Sequence, residues 1–269
     1  MRELDIHGEI LAVPLGDGVN LSARLLYIDT VGRALRNSPS MISSIFTPEE
    51  ISYCMRYRVR SDEHFAARLA AKQIVTEQLS NGTVKWSEVS VRNNDYKSPY
   101  FEFSDNARTL LDESGIQTAH VSLAHEDNIA VACCALEQGD YTRLTRIVRI
   151  GTDVCFDTPF KSTIIQRTTT FTKEEVEVAK RKEDPARRYA MYFAAKESVV
   201  KILEILSGWR SWQEIQVHEA EKEEFYITLS GSAKERLEQI GASEIVTSLS
   251  YREEFGALAF SAALTYARD

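Results

Sequence analysis

Nowhere do the 269 residues contain the run of about 18 apolar residues that a membrane-spanning helix needs. The opening stretch MRELDIHGEI also lacks the apolar core and basic leader of a secretory signal, so a cytoplasmic location is expected. Cysteine is scarce. The four residues Cys54, Cys133, Cys134 and Cys155 show no CxxC spacing, and the adjacent pair lies in an apolar run that reads as a buried strand. They are expected to be reduced core residues, not disulfide partners or zinc ligands. Positive charge is in deficit: 32 Lys and Arg face 40 Asp and Glu, a net charge of −8 that argues against general nucleic-acid binding. What remains is ordinary globular composition, 43% hydrophobic and 27% charged, in a chain long enough for one large domain or two modest ones.

What the chain does contain is a phrase used twice. FTPEE at 46–50 returns as FTKEE at 171–175, an offset of 125. Ala70-Ala71-Lys72 returns as Ala194-Ala195-Lys196 at 124, while Trp86-Ser87-Glu88-Val89 returns as Trp212-Gln213-Glu214-Ile215 at 126. Ser122-Leu123-Ala124 returns as Ser248-Leu249-Ser250, also at 126. Ordered matches at a near-constant offset predict two similar halves, 1–140 and 141–269, joined at Glu137-Gln138-Gly139-Asp140. Each half reads as a strand (LLYID or IVRIGTDV), a polar loop, and a helix start where Thr47 or Thr172 precedes an acid three residues on. The AAK helix follows; in the second half it is expected from about Arg188 to Leu206, stopping at Gly208. Two strands, a further helix and a closing apolar strand complete each half. The expectation is an α+β fold repeated about a pseudo-two-fold axis, preceded by a short hairpin around Gly16-Asp17-Gly18.

These residues resemble the 4′-phosphopantetheinyl transferase superfamily. The family pattern is a G-x-D strand end, an F/W-x-A-K-E-x-x-x-K helix, a W-x-x-I strand, and S-L-S-H before the last strand. The second half matches the first three as Gly151-Thr152-Asp153, Phe193-Ala194-Ala195-Lys196-Glu197 through Lys201, and Trp212-Gln213-Glu214-Ile215. The first half matches the last as Ser122-Leu123-Ala124-His125. The resemblance extends from about Leu25 onward. Each half looks like the small trimeric carrier-protein synthases, while the tandem arrangement is that of the larger surfactin-type enzymes. In that family the site lies between units, one giving the metal carboxylates and lysine, its neighbour the histidine that holds coenzyme A phosphates.

The two halves differ at these positions in a complementary way. The second keeps Asp153, Glu197 and Lys201; in the first, Asp29 is read as the aspartate's twin, but Gln73 and Glu77 stand where the glutamate and lysine belong. The histidine is reversed: His125 is in the first half, and its twin is Tyr251. One composite site is expected. The implied reaction is attack of a carrier-protein serine on the β-phosphate of coenzyme A, with adenosine 3′,5′-bisphosphate leaving. Asp153 and Glu197 are the implied Mg²⁺ ligands, and either Glu197 or a metal-bound water takes the serine proton. Lys201, four residues after Glu197 on one helical face, stabilises phosphate charge. His125 contacts the pyrophosphate, and Gly151 lets backbone approach the ligand. The resemblance carries over Arg68 as a coenzyme A phosphate contact and Lys97, in Tyr96-Lys97-Ser98-Pro99, as a 3′-phosphate contact. Cys155 stands where many two-half members carry a second acid, so two carboxylates are expected, not three.

Taken singly, each candidate has a plain alternative. Asp153 can be a turn residue, Glu197 and Lys201 a surface ion pair, and His125 a solvated loop residue. The basic run AKRKEDPARR at 179–188 is either a solvated loop or an attractor for an acidic carrier protein, with Arg33 and Arg36 or Lys161 and Arg167 as other docking charges. The partners expected are coenzyme A and an acyl, polyketide or peptidyl carrier protein, with no nucleic acid and no membrane, and a monomeric chain. Two rivals stay open: a non-catalytic coenzyme A-binding protein and a scaffold that binds carriers without modifying them.

Overall fold

A computed structural model describes residues 10–16, 19–80, 84–139, 145–162, 169–204, 211–220 and 224–266. By its contacts the chain divides into two units, 1–12 with 21–140 and 13–20 with 141–269. Both are α+β.

The first unit, with the 13–20 parts of β1 and β2 counted to the second, runs β1 (Ile10–Gly16), β2 (Val19–Tyr27), α1 (Ile28–Asn37), α2 (Pro39–Ile45), α3 (Pro48–Met55), α4 (Ser61–Ser80), β3 (Val89–Asn93), β4 (Pro99–Phe103), α5 (Asp105–Glu113), β5 (Ile116–Glu126) and β6 (Ile129–Gln138). Its main sheet has the order β1-β2-β6-β5, and β3-β4 pair separately. The expected hairpin tip, Asp17-Gly18, lies outside the described residues. The second unit runs β7 (Thr145–Cys155), α6 (Thr158–Ser162), α7 (Lys173–Lys180), α8 (Pro185–Leu203), β8 (Ile215–Glu219), β9 (Phe225–Leu229), α9 (Gly231–Gln239), β10 (Glu244–Arg252) and β11 (Gly256–Tyr266). Its sheet order β10-β11-β7 matches β5-β6-β2 of the first. The central strands β6 and β11 are buried almost throughout and show no polar alternation, as strands covered on both faces do. All four cysteines are free and buried, as expected of reduced core residues.

Local chemistry sets the helix starts. Thr47 and Thr172 each form a full capping box, with Glu50 and Glu175 returning the bond to the cap backbone. Those two glutamates do more. Glu50 also accepts from Val91 N at 2.9 Å and meets Lys72 Nζ at 2.6 Å, both side chains fully buried. Glu175 likewise accepts from Val217 N at 2.8 Å and meets Lys196 at 3.0 Å. Lys72 donates to the carbonyls of Ile45, Trp86 and Val89, and Lys196 to those of Trp212 and Ile215. A buried ion pair is tolerated when its remaining donors and acceptors are satisfied in this way. The AAK lysine is thus a structural pin joining the long helix, the capping box and the following strand.

Ala70, Ala71, Ala194 and Ala195 are fully buried, small enough for α4 and α8 to lie close to their sheets. Gly151 serves the same purpose. A Cβ there would fall 1.9 Å from the Ser198 carbonyl oxygen on α8, so the glycine is required by strand–helix packing, which corrects the expectation that it admits a ligand. Helix α8 also differs from expectation at both ends. It begins at Pro185, with Asp184 capping Arg187 N, and ends at Leu203, where Glu204 turns left-handed (φ 50°, ψ 44°). The Glu204 carboxylate meets Arg149 at 2.7 Å. Gly208 and Arg167 lie outside the described residues.

Candidate active site

Hydrogen-bonded register, not sequence spacing, decides which residues are equivalent. In the second unit Tyr251 pairs with Ala257 and Asp153 with Ala259; in the first, His125 pairs with Ala130 and Arg24 with Ala132. The turn joining β10 and β11 is one residue longer than that joining β5 and β6, so the strand offset changes across it. Counting from the matched His125 and Tyr251 pairs, the residue equivalent to Asp153 is Arg24. Asp29 is not its twin: β2 ends at Tyr27, and Asp29 falls in the first turn of α1, held by Asn128 Nδ2 at 2.9 Å.

The second unit gathers the predicted acids and lysine. Lys201 Nζ, from α8, lies 2.9 Å from Asp153 Oδ1 and donates to Thr152 O at 2.8 Å on β7. Burial pushes the Asp153 carboxyl above the ordinary range, and Lys201 opposes that shift. Glu197, one turn earlier on α8, is pushed up to about 7, first by burial and then by the neighbouring Asp153 charge. Two carboxylates that resist joint ionisation, offset by one ammonium, form a site with a deficit of positive charge. Among the described residues no group of three or more His, Cys, Asp or Glu is placed to hold a metal. Mg²⁺ does not require three: one or two carboxylates with substrate phosphates and waters suffice, and this hard oxygen pair fits that pattern.

In the first unit the corresponding pair has inverted charge. Arg24, 4% exposed, makes a two-point contact with Glu77, at 2.8 Å to Oε1 and 3.1 Å to Oε2. Gln73 stands buried where Glu197 stands in the second unit. A cation has replaced the aspartate, an anion the lysine, and an amide the glutamate.

The remaining predicted residues form a connected group in the first unit. His125 Nδ1 lies 3.1 Å from Glu63 Oε2, which also accepts from Arg60 Nε at 2.8 Å. The His64 ring packs edge-on against His125 at 5.3 Å. Arg68 is buried, 2% exposed, with its guanidinium over the Tyr53 ring at 4.1 Å. It donates to Val91 O, to His64 O, and to Asn93 Oδ1 at 2.6 Å; Asn93 in turn donates to Lys97 O at 2.7 Å. Lys97 sits exposed in the β3–β4 turn with φ 64°. Arg68 therefore holds the turn that carries Lys97 and spends its own donors inside the unit. Tyr192 and Glu219 repeat the Arg68–Asn93 link in the second unit, where Tyr192 OH donates to Glu219. Glu63, His64, Asn93 and Arg24 were not singled out from the sequence. Only Glu63 and Arg24 carried a signal: an acid in a helix first turn, and a lone charge in an apolar strand.

With this geometry in hand, comparison with known proteins is specific. The model of the 4′-phosphopantetheinyl transferase superfamily matches residues 149–253. The holo-[acyl-carrier-protein] synthase of Geotalea daltonii is 34% identical over 105 residues, 38% of this chain and 83% of that protein. The chain belongs to the 4′-phosphopantetheinyl transferase superfamily. It is accordingly a transferase. The synthase of Trichlorobacter lovleyi is 34% identical over 124 residues, 45% of this chain and 93% of that protein. A solved structure of the Neisseria meningitidis synthase is 26% identical, covering 44% of this chain and 98% of that one, with a TM-score of 0.38. Asp153, Glu197 and Lys201 lie within the matched family residues, whereas His125, Arg68 and Lys97 precede them.

Proposed function

We propose that this chain transfers 4′-phosphopantetheine from coenzyme A to a serine of an apo carrier protein at one Mg²⁺-dependent site. The site takes Asp153, Glu197 and Lys201 from residues 141–269, and His125 and Lys97 from residues 1–140, with the buried Arg68 behind Lys97 and not on the coenzyme A phosphates as expected, the halves forming a pseudo-two-fold pair within a cytoplasmic monomer. The observation that carries this reading is the Asp153–Glu197–Lys201 cluster set against its charge-inverted counterpart Arg24–Gln73–Glu77. Only one acidic half-site survives, and of the equivalent positions 125 and 251 only the first holds a histidine.

Asp153 and Glu197 would hold Mg²⁺, which when bound supplies charge neutralisation for phosphoryl transfer. The serine oxygen bonds to the β-phosphorus as the bond to the adenosine 3′,5′-bisphosphate oxygen breaks. The serine proton passes to Glu197 or to water. Lys201 balances charge beside Asp153 and the phosphate. Glu63 fixes the His125 ring through Nδ1 and directs its other nitrogen toward phosphate oxygens. Arg68 acts through Asn93 by holding the turn that presents Lys97.

Replacing Glu197 tests the assignment. Glu197→Gln should abolish transfer, while Gln73→Glu should leave it nearly unchanged because Arg24 and Glu77 still hold that position. Retained activity in the first variant, read by carrier mass, would contradict the catalytic role of Glu197.

A further inference from the structure

The two units differ inside their cores as well as at the proposed site. In the second, Ser198 on α8 is fully buried, and its Oγ lies 2.7 Å from both Ala195 O and Ser261 Oγ on β11. Ser261, also fully buried, lies 2.9 Å from Thr247 Oγ1 on β10. One direction lets every hydroxyl donate: Thr247 to Ser261, Ser261 to Ser198, and Ser198 to the Ala195 carbonyl, on the turn that carries Glu197. Thr152 adds a fourth hydroxyl. It donates to Ala259 O at 2.9 Å, opposite Asp153 in the β7–β11 register, while the Thr152 carbonyl accepts from Lys201 at 2.8 Å.

By the same strand register and helix offset, the first unit has Ile74, Cys134, Val121 and Ala23 where the second has Ser198, Ser261, Thr247 and Thr152. All four are buried. The fold therefore packs at these positions without a hydroxyl. A hydroxyl taken out of water must regain its hydrogen bonds merely to break even, so stability alone gives no reason for four of them. What they add is direction. Apolar contacts such as those of Ile74 have no preferred angle, whereas a satisfied hydroxyl chain fixes angle as well as distance. The chain acts next to the predicted acids. Ser261 pairs with Gly151 across the sheet, and Gly151 is where the Ser198 carbonyl comes against β7. Glu197 and Lys201 flank Ser198 on α8, and Asp153 lies just beyond Gly151 on β7.

We infer that the Thr247–Ser261–Ser198 hydroxyl chain, with Thr152, positions the site, holding α8 at one rotation and height over β7 so that Glu197 and Lys201 stand against Asp153. All four are positioning residues. The inference rests on the transferase reading for what the site does. A cation held by few protein oxygens tolerates little error in their placement, and groups that orient such ligands matter nearly as much as the ligands themselves.

The test uses the full chain with Ser198→Ala and Ser261→Cys, each close in volume to the native residue, and Cys134→Ser as the reciprocal change in the first unit. Thermal unfolding followed by circular dichroism sets a temperature at which wild type and variants are all folded. There, Ser198→Ala and Ser261→Cys should each lower kcat about tenfold, with the coenzyme A and carrier KM within about twofold of wild type. Mn²⁺, titrated without coenzyme A and read by electron paramagnetic resonance, should bind each of them about tenfold more weakly. Cys134→Ser should match wild type in both measurements. Wild-type kcat and Mn²⁺ affinity in Ser198→Ala and Ser261→Cys overturn the inference. So does an equal loss in Cys134→Ser, which would report a general loosening of the core, or a lowered melting temperature with nothing else changed. A wild type that binds Mn²⁺ more tightly than these variants but transfers nothing refutes the transferase reading alone.

Discussion

Arg24 and Glu77 occupy the positions that Asp153 and Lys201 occupy in the second unit, with the sign of each charge exchanged. Such an inversion keeps strand and helix tied by an ion pair while putting a guanidinium where the aspartate would offer oxygen to a divalent cation. The Arg24 side chain is nearly buried, so Arg24→Glu should destabilise the first unit by about 2–4 kcal/mol, because two carboxylates would then face each other. Adding Glu77→Lys should restore much of that loss, leaving a coupling of about 1 kcal/mol or more in chemical denaturation. Additive effects would show that the pair is incidental. At the second unit the folded chain holds the Glu197 proton up to about 7, against 4.5 for an ordinary glutamate. The folded state therefore binds more protons between those values, and stability fully present below about 4.5 is lost as pH rises through about 7. In chelator, the wild type should lose roughly 2–3 kcal/mol between about pH 4.5 and about pH 8, and Glu197→Gln should flatten that slope. An identical slope in both proteins contradicts the assignment. Glu197 and Lys201, with their replaced twins Gln73 and Glu77, were legible in the sequence because both long helices share one offset. Asp29 misled because strand register follows hydrogen bonds and the length of a turn, which spacing along the chain does not reveal.

At the scale of elements, what the two long helices keep in common serves the fold, and what they have changed falls at the proposed site. Ala70, Ala71 and Lys72 and their twins pack the helix and pin the capping box; Gln73 and Glu77 differ from Glu197 and Lys201. The AAK echo was readable as a repeat, yet its lysine's burial was not, because nothing in a single sequence shows that three or four buried acceptors converge on it. Lys72→Met and Lys196→Met should each cost about 3–5 kcal/mol, since each leaves a buried glutamate without its counter-ion. Equal losses of thermal stability in the two variants are expected. A small loss in either would mean that the lysine is not a structural pin. Glu50 and Glu175 were legible as cap residues from the FTPEE and FTKEE phrases. Their second bond, to the strand that follows the tryptophan, came only with the fold.

For the whole molecule, the order of elements and the α+β class were visible in the offsets, while the paired charges across β2 and α4 were not. One metal site per chain is expected, because Arg24 closes the other. Mn²⁺ titration followed by electron paramagnetic resonance should therefore saturate at one ion per chain, and two would refute the charge inversion as the reason for a single site. The central claim is the transfer itself. The most direct test incubates the full chain with Mg²⁺, coenzyme A and an apo carrier protein and records the carrier's mass. A gain of one phosphopantetheine group, lost with Glu197→Gln or chelator and kept with Gln73→Glu, is the result expected. An unchanged mass across acyl, polyketide and peptidyl carriers would contradict it.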